Sequence, residues 1–257
     1  MKTERIAALR QAAQRLPVAL EVVAETGSTN ADLMQRAGTL AGPTLRIAGQ
    51  QTAGRGRAGR SWLSEPGAAL MFSLAWRFDG PLHQLAGLPL AVGVALAETL
   101  QALAVPVTLK WPNDIIKDGS KLAGILVETQ DAAGGGVWAV IGVGLNLVMP
   151  DHLEQAIGRA VASAPWLAGM ERELLMARLL DHLALALAEF AGAGFAAFRA
   201  RWNQLDAYHG QPVRILDQGR VLHEGRAAGV DDGGRLLLDS ATGRVTVLSG
   251  DVSLRPA

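Results

Sequence analysis

The 257-residue chain contains no cysteine at all. That excludes disulfides, thiolate-held zinc, iron–sulfur clusters and any thiol nucleophile. It also has no net charge, with 24 basic side chains against 24 acidic ones. A binder of nucleic acid or membrane surface works through a field of one sign, so neither partner is expected. Aromatics make up only 5% of the residues, with a single tyrosine. The N-terminus is charged and lacks the apolar run of a signal peptide, and the apolar stretch 87–97 is short and followed by Glu98, so a cytoplasmic protein is expected. The five histidines are scattered without an HxxxH or HExxH pair, so no protein-held metal is expected.

What the chain does have is a globular composition, 49% apolar and 19% charged. Apolar spacing predicts a helix over 2–16, ended by Pro17, and strands over 18–24 and 44–50. A short helix over 31–37 is capped by Ser28 or Thr29, with Asp32 three residues after Thr29 as in a capping box. Strands follow at 69–76, 107–111, 122–128 and 137–145, with an apolar helix at 85–103 and an Asp118–Gly119 hairpin turn. Leu174, Leu175, Leu179, Leu183, Leu187 and Phe190 mark one face of a long helix, and 195–205 reads as a second. Beyond Tyr208 four short strands, 212–216, 221–228, 235–238 and 245–248, alternate with Gly-rich turns. This divides the chain into a main domain, 1–208, and a β unit, 209–257, too small to be stable without docking.

The most informative segment is the loop 51–67. Gly54, Gly56 and Gly59 spell G-x-G-x-x-G, but no helix follows to aim its N-terminus at a pyrophosphate, so the dinucleotide fingerprint does not apply. A Walker loop fails likewise, since Arg60 stands where the lysine belongs. What remains is a backbone open to close approach, carrying Arg55, Arg57 and Arg60 and suited to phosphate or carboxylate.

Three further blocks, Lys110-Trp111-Pro112-Asn113-Asp114, the run 121–128 from Lys121 to Glu128, and Gly142-Val143-Gly144-Leu145-Asn146, are each weak alone. Together with Gly27-Ser28-Thr29-Asn30, Gln51 and the Gly/Arg loop, in this order, they resemble the biotin protein ligases, as does 201–206 before the β unit. The resemblance covers nearly the whole chain. It implies an α+β fold: a catalytic domain like that of class II aminoacyl-tRNA synthetases, with a mixed sheet and flanking helices, and a C-terminal SH3-like barrel. Some members carry an N-terminal winged helix-turn-helix. Only about 20 residues precede the first strand here, so the ligase-only form is expected.

The implied activity has two steps. Biotin is activated by ATP as biotinyl-5′-AMP, and the acyl group then passes to a lysine of a biotin carboxyl carrier domain. Arg57 and Lys121 are implied nearest the reacting carboxylate and α-phosphate, with Arg55 as a further cation. Asp114 is assigned to metal or to orienting the incoming lysine, with Mg²⁺ bound mainly through ATP. Gly56 and Gly124 belong to the binding blocks, and Asn113 and Asn146 are assigned to the nucleotide side. Trp62 either stacks on adenine or is a core tryptophan under the loop. Ser28, Thr29, Asn30 and Gln51 supply donors and acceptors of the kind a buried ureido ring needs. That favours biotin over lipoate, the substrate of a rival ligase of the same fold. A non-catalytic biotin sensor is the other alternative, and a homodimer is allowed. A thiol-dependent acyl transferase is excluded by the missing cysteine.

Overall fold

The structure, a computed structural model, describes residues 17–217, 219–249 and 252–257. The helix expected at 2–16 lies outside them. The main domain is built on a seven-stranded sheet, β1 (Ala19–Thr26), β2 (Thr44–Gln51), β3 (Ala69–Phe78), β4 (Thr108–Lys110), β5 (Asp114–Lys117), β6 (Ser120–Asp131) and β7 (Val137–Asn146). Its spatial order is β1-β2-β3-β7-β6-β5-β4. Only β1 and β2 run parallel; every other pair is antiparallel. The central strands β3 and β7 read as almost unbroken apolar runs because both of their faces are covered.

One face is packed by α2 (Leu88–Ala102) and α5 (Arg172–Ala193). Helix α2 is apolar all round and buried accordingly, so the one described stretch apolar enough to cross a membrane, 82–102, includes the core helix of this domain. In α5, Leu175, Leu179, Leu183, Leu187 and Phe190 are buried as expected, while Leu174 turns outward at 40% exposure. The other face receives α1 (Thr29–Arg36), whose Leu33 is fully buried against Ala75, Trp138 and Val140.

The capping box does not form. Ser28 is the N-cap, its Oγ accepting from the Ala31 amide at 3.4 Å, which puts Asp32 one residue too far along to reach back. Asp32 instead accepts from Thr26 Oγ1 and Arg46 Nε, both at 2.6 Å. The β5–β6 turn does follow its sequence: Asp118 and Gly119 take φ of 49° and 75°, the left-handed pair an Asp-Gly hairpin uses. Two short helices, α3 (Asp151–Ile157) and α4 (Pro165–Ala168), occupy a stretch without clear periodicity. The helix expected over 195–205 is a 3₁₀ turn, Phe195–Ala197, followed by α6 (Arg199–Leu205).

The β unit contains β8 (Pro212–Asp217), β9 (Arg220–Val230), β10 (Leu236–Ser240), β11 (Gly243–Val247) and a fifth strand, β12 (Val252–Pro256). They form one antiparallel sheet in the order β11-β10-β9-β8-β12. Val213, Ile215, Leu236, Leu238 and Leu254 join the same apolar cluster as α2 and α5, so the unit shares the main core. Two polar contacts fix the docking. Trp111, 1% exposed, donates from Nε1 to the Gly234 carbonyl at 3.1 Å, and Asn203 Oδ1 accepts from the Val230 amide at 2.8 Å.

Candidate active site

The loop between β2 and β3 folds back across the sheet as a narrow excursion. Gly56 N–H donates to the Arg60 carbonyl at 2.6 Å and Trp62 N–H to the Gly54 carbonyl at 2.9 Å. Its tip turns through Ala58 and Gly59, both at positive φ. No helix follows, so the rejection of both phosphate-loop patterns stands.

Under this loop lies a cavity of about 460 Å³. Ser28, Thr29, Asn30, Gln51, Arg55, Gly56, Arg57, Trp62, Asn113, Lys121 and Gly124 all line it, with Phe72, Ser73, Ile125, Leu126, Gly142, Val143 and Gly144. These eleven residues, expected at the site from sequence, converge from four stretches, 28–30, 51–62, 113 and 121–124. Asp114 and Asn146 do not line it.

The cavity floor is a chain of buried polar groups. Gln51 Oε1 accepts from the Thr29 amide at 2.8 Å and faces Thr29 Oγ1 at 3.1 Å. Thr29 Oγ1 lies 2.7 Å from Ser73 Oγ, which donates to Asn30 Oδ1 at 2.6 Å. Asn30 Nδ2 donates to Glu128 Oε2 at 2.8 Å. Ser73 is wholly buried, and Thr29 and Asn30 nearly so. A floor of this kind is costly to bury unless every member is partnered. Ser73 and Glu128 are members that sequence reading missed; Ser73 sits inside an apolar strand with no motif around it.

Two glycines on β7 make room for the floor and its lid. A Cβ on Gly142 would stand 2.3 Å from Asn30 Oδ1, and one on Gly144 would stand 2.4 Å from the Trp62 ring. They sit within the strand, so neither a bulge nor a strand exit explains them. The Trp62 ring packs against Gly124 and Gly144, and its buried Nε1–H has no partner among the described residues.

Beside this cavity, and sharing Gly56, Arg57, Trp62, Asn113 and Lys121 with it, opens a second of about 680 Å³. Arg57, Arg60, Lys110, Lys121, Arg159 and Arg255 line it against one carboxylate, Asp114, which is ion-paired with Lys121. Arg57 donates to Asn113 Oδ1 at 3.2 Å, and Asn113 is held to β6 through its Nδ2 and the Ile125 carbonyl at 2.7 Å. The Lys121 ammonium stands 5.8 Å above the Trp62 ring. Crowding has a measurable consequence at Lys110. Burial, then the positive charges of Arg255, Arg159 and Lys121, lower its pKa to about 8, with Asp114 opposing. Arg255 arrives on β12, the strand that sequence reading missed. Lys110, Arg159 and Arg255 were not among the expected site residues.

Asn146 lines a third opening with Arg60, Trp62, Lys121, Ile157 and Arg159. Its amide donates to the Ala162 carbonyl at 3.2 Å, tying the segment after α3 to the sheet. Arg55 pairs with Glu128 at 2.6 Å. Among the described residues no three His, Asp or Glu side chains converge, and Asp114 is engaged, so the donor set does not fit a protein-held metal.

A mixed sheet with a small antiparallel unit, a glycine–arginine loop over a polar-floored cavity and an adjoining cation-lined cleft define a ligase of a known kind. Residues 21–146 match the biotin/lipoate A/B protein ligase family and residues 208–255 the biotin protein ligase C terminal domain. The chain belongs to this family. It is 37% identical over 238 residues to the bifunctional ligase/repressor BirA of Escherichia coli, covering 90% of this chain and 72% of that one. It is also 37% identical over 244 residues to the biotin–[acetyl-CoA-carboxylase] ligase of Mycobacterium tuberculosis, covering 91% and 88%. Among solved structures, the biotin protein ligase of Aquifex aeolicus in complex with biotin and ATP superposes with a TM-score of 0.77 at 28% identity, covering 93% of this chain and 99% of that one.

Proposed function

We propose that this chain is an ATP-dependent biotin protein ligase that forms biotinyl-5′-AMP and transfers biotin to a lysine of a biotin carboxyl carrier domain. The observation that carries the reading is the sharing of one wall, Arg57, Asn113 and Lys121, between a polar-floored cavity and a cation-lined cleft. A small acid in the first and a nucleotide in the second would meet at that wall.

The ureido ring of biotin finds partners on the Thr29–Gln51 floor, and its apolar remainder lies against Phe72, Ile125 and Val143. The dithiolane of lipoate would leave the Gln51 amino group with only its weak contact to the Met71 sulfur, which disfavours the lipoate alternative. In the first step a carboxylate oxygen attacks the α-phosphorus and pyrophosphate leaves. Arg57 and Lys121 offset the repulsion between the two anions and the charge growing on the phosphorus oxygens. Arg60, Lys110, Arg159 and Arg255 hold the remaining phosphates. Mg²⁺ would come bound to the nucleotide phosphates and would neutralise part of their charge, with none of these side chains assigned to hold it. In the second step the acceptor ε-amine attacks the acyl carbon and AMP leaves. Asp114, ion-paired with Lys121 in the cleft lining, adds negative charge that draws the incoming ammonium, which gives up a proton to solvent before it attacks. The 1–208 and 209–257 units work as one site, because β12 brings Arg255 to the cleft. A nucleic-acid partner has no part in this reading.

The test is incubation with ATP, Mg²⁺, biotin and a carrier domain, followed by mass measurement of the carrier. The expected result is one added biotinyl group, absent without ATP and absent when the carrier lysine is replaced by arginine. Addition of a lipoyl but no biotinyl group would contradict the substrate assignment. A non-catalytic biotin sensor would bind biotin and leave the carrier unchanged.

A further inference from the structure

Glu128 is the last residue of the 121–128 block, and no step of the reaction touches it. Its Oε2 atom accepts from two sides, from Arg55 of the loop at 2.6 Å and from Asn30 Nδ2 at 2.8 Å. It is therefore where the loop above the cavity is tied to the floor beneath it.

The floor has a proton direction that can be read from its ends. A carboxylate only accepts, and the Leu126 carbonyl, 3.4 Å from the same Nδ2, also only accepts. Both face the Asn30 amide nitrogen, so the amide oxygen must face Ser73. Ser73 spends its one proton on that oxygen at 2.6 Å and can only accept from Thr29. At the far end the Thr29 backbone N–H turns the oxygen of Gln51 inward at 2.8 Å. The single Thr29 hydroxyl proton therefore goes to Ser73 at 2.7 Å, and the Thr29 oxygen, 3.1 Å from Gln51 Oε1, is left as an acceptor on the cavity wall. Gln51 keeps its amino group, with only the Met71 sulfur at 3.4 Å as a weak partner. A cyclic urea has two N–H donors and one carbonyl acceptor and needs this polarity.

We infer that Glu128 is a positioning residue that fixes, through Asn30 and Ser73, which way the floor presents donors and acceptors, and so sets the preference for a ureido-bearing acid. The inference rests on the biotin reading. Without the carboxylate only the long 3.4 Å contact to the Leu126 carbonyl holds the Asn30 amide, so Asn30 can flip, and the two hydroxyls can then reverse with it.

Equilibrium titration calorimetry with biotin, and with octanoate as an acid lacking the ureido group, tests this on the full chain. Asn30→Asp removes the donor that Glu128 requires and sets two carboxylates against each other. It should weaken biotin binding by about a hundredfold, an estimate for losing charge-assisted pairing in a buried network. Adding Glu128→Gln supplies a donor in the reverse sense, leaving Ser73 its acceptor. The double variant should bind biotin within about tenfold of the parent, while octanoate binding changes little throughout. Thermal unfolding of each variant checks that it is folded. A double variant that is folded yet binds no better than Asn30→Asp alone would overturn the relay. A parent protein that bound no biotin would instead overturn the functional reading, and the relay with it.

Discussion

Lys121 and Asp114 form an ion pair across the β5–β6 hairpin, and Lys121 lies on the wall common to both cavities. The carboxylate holds the ammonium in place, and the flat face of Trp62 stands on its other side. Lys121 is thus fixed before any substrate arrives, which is what an electrostatic role at a developing charge needs.

Replacing Lys121 by alanine should therefore lower kcat/KM for adenylate formation by about a hundredfold to a thousandfold. Biotin affinity should change far less, because the polar floor is untouched. Single-turnover measurement of biotinyl-5′-AMP checks this; an unchanged rate would remove Lys121 from the reaction.

Lys110 titrates near pH 8 in the folded protein. Its charge is full below that value and lost as pH rises through it. Nucleotide capture, read as kcat/KM for ATP, should fall by about tenfold between pH 7.5 and 9.5, the worth of one charged contact to phosphate. Lys110→Arg, which keeps its charge, should flatten the profile over that range. Superimposable profiles for the two proteins would place Lys110 outside the nucleotide site.

Gly142→Ala drives a methyl group to 2.3 Å from Asn30 Oδ1, inside a buried network that cannot yield without breaking. Loss of about 1–3 kcal/mol is expected, with weakened biotin binding. Denaturant unfolding and biotin titration read the two effects. Gly59→Ala, at an open loop position, should leave biotin affinity largely unchanged, its cost being confined to the left-handed backbone there.

Asp206, at the junction of the main domain and the β unit, is half-buried, and its Oδ2 atom is buried with no hydrogen-bond partner among the described residues. Burial raises its pKa, partly offset by the Tyr208 amide that donates to Oδ1 at 2.9 Å. A raised carboxyl pKa means the folded state holds its proton longer than the unfolded chain, so this group costs stability increasingly as pH rises through the folded pKa. Asp206→Asn keeps a similar shape without the charge. It should raise the melting temperature at pH 8 and leave it nearly unchanged at pH 4. Equal effects at both pH values would contradict the assignment.

The site was more legible from sequence than the framework that aligns it. The cavity-lining residues proposed to meet ligand by charge or close approach, Arg55, Arg57, Lys121 and the glycines, sit in motifs whose composition is unusual for ordinary loops and strands. Ser73 touches the cavity through Thr29 and Asn30, and nothing local distinguishes it from any interior serine; Glu128 closes the 121–128 block, but its role depends on Asn30 and Arg55, partners distant in sequence. Arg255 was hidden because β12 is short, ends in proline and owes its existence to pairing with β8, a long-range contact that no local pattern encodes. Asp32 shows the converse: its local capping pattern was plausible, but Arg46 on β2 offers a charged partner and takes the carboxylate. Leu174 sits about 100° round the helix from Leu175, off the stripe that Leu175, Leu179, Leu183 and Leu187 bury, so it faces outward although its own turn is packed.

The measurement that bears most directly on the account is exchange of labelled pyrophosphate into ATP by the full chain, with biotin, lipoate or no acid added. Exchange should depend on biotin, should not be supported by lipoate, and should be largely lost in Lys121→Ala. Exchange that responded to lipoate and not to biotin, or that ran unchanged without Lys121, would contradict the account.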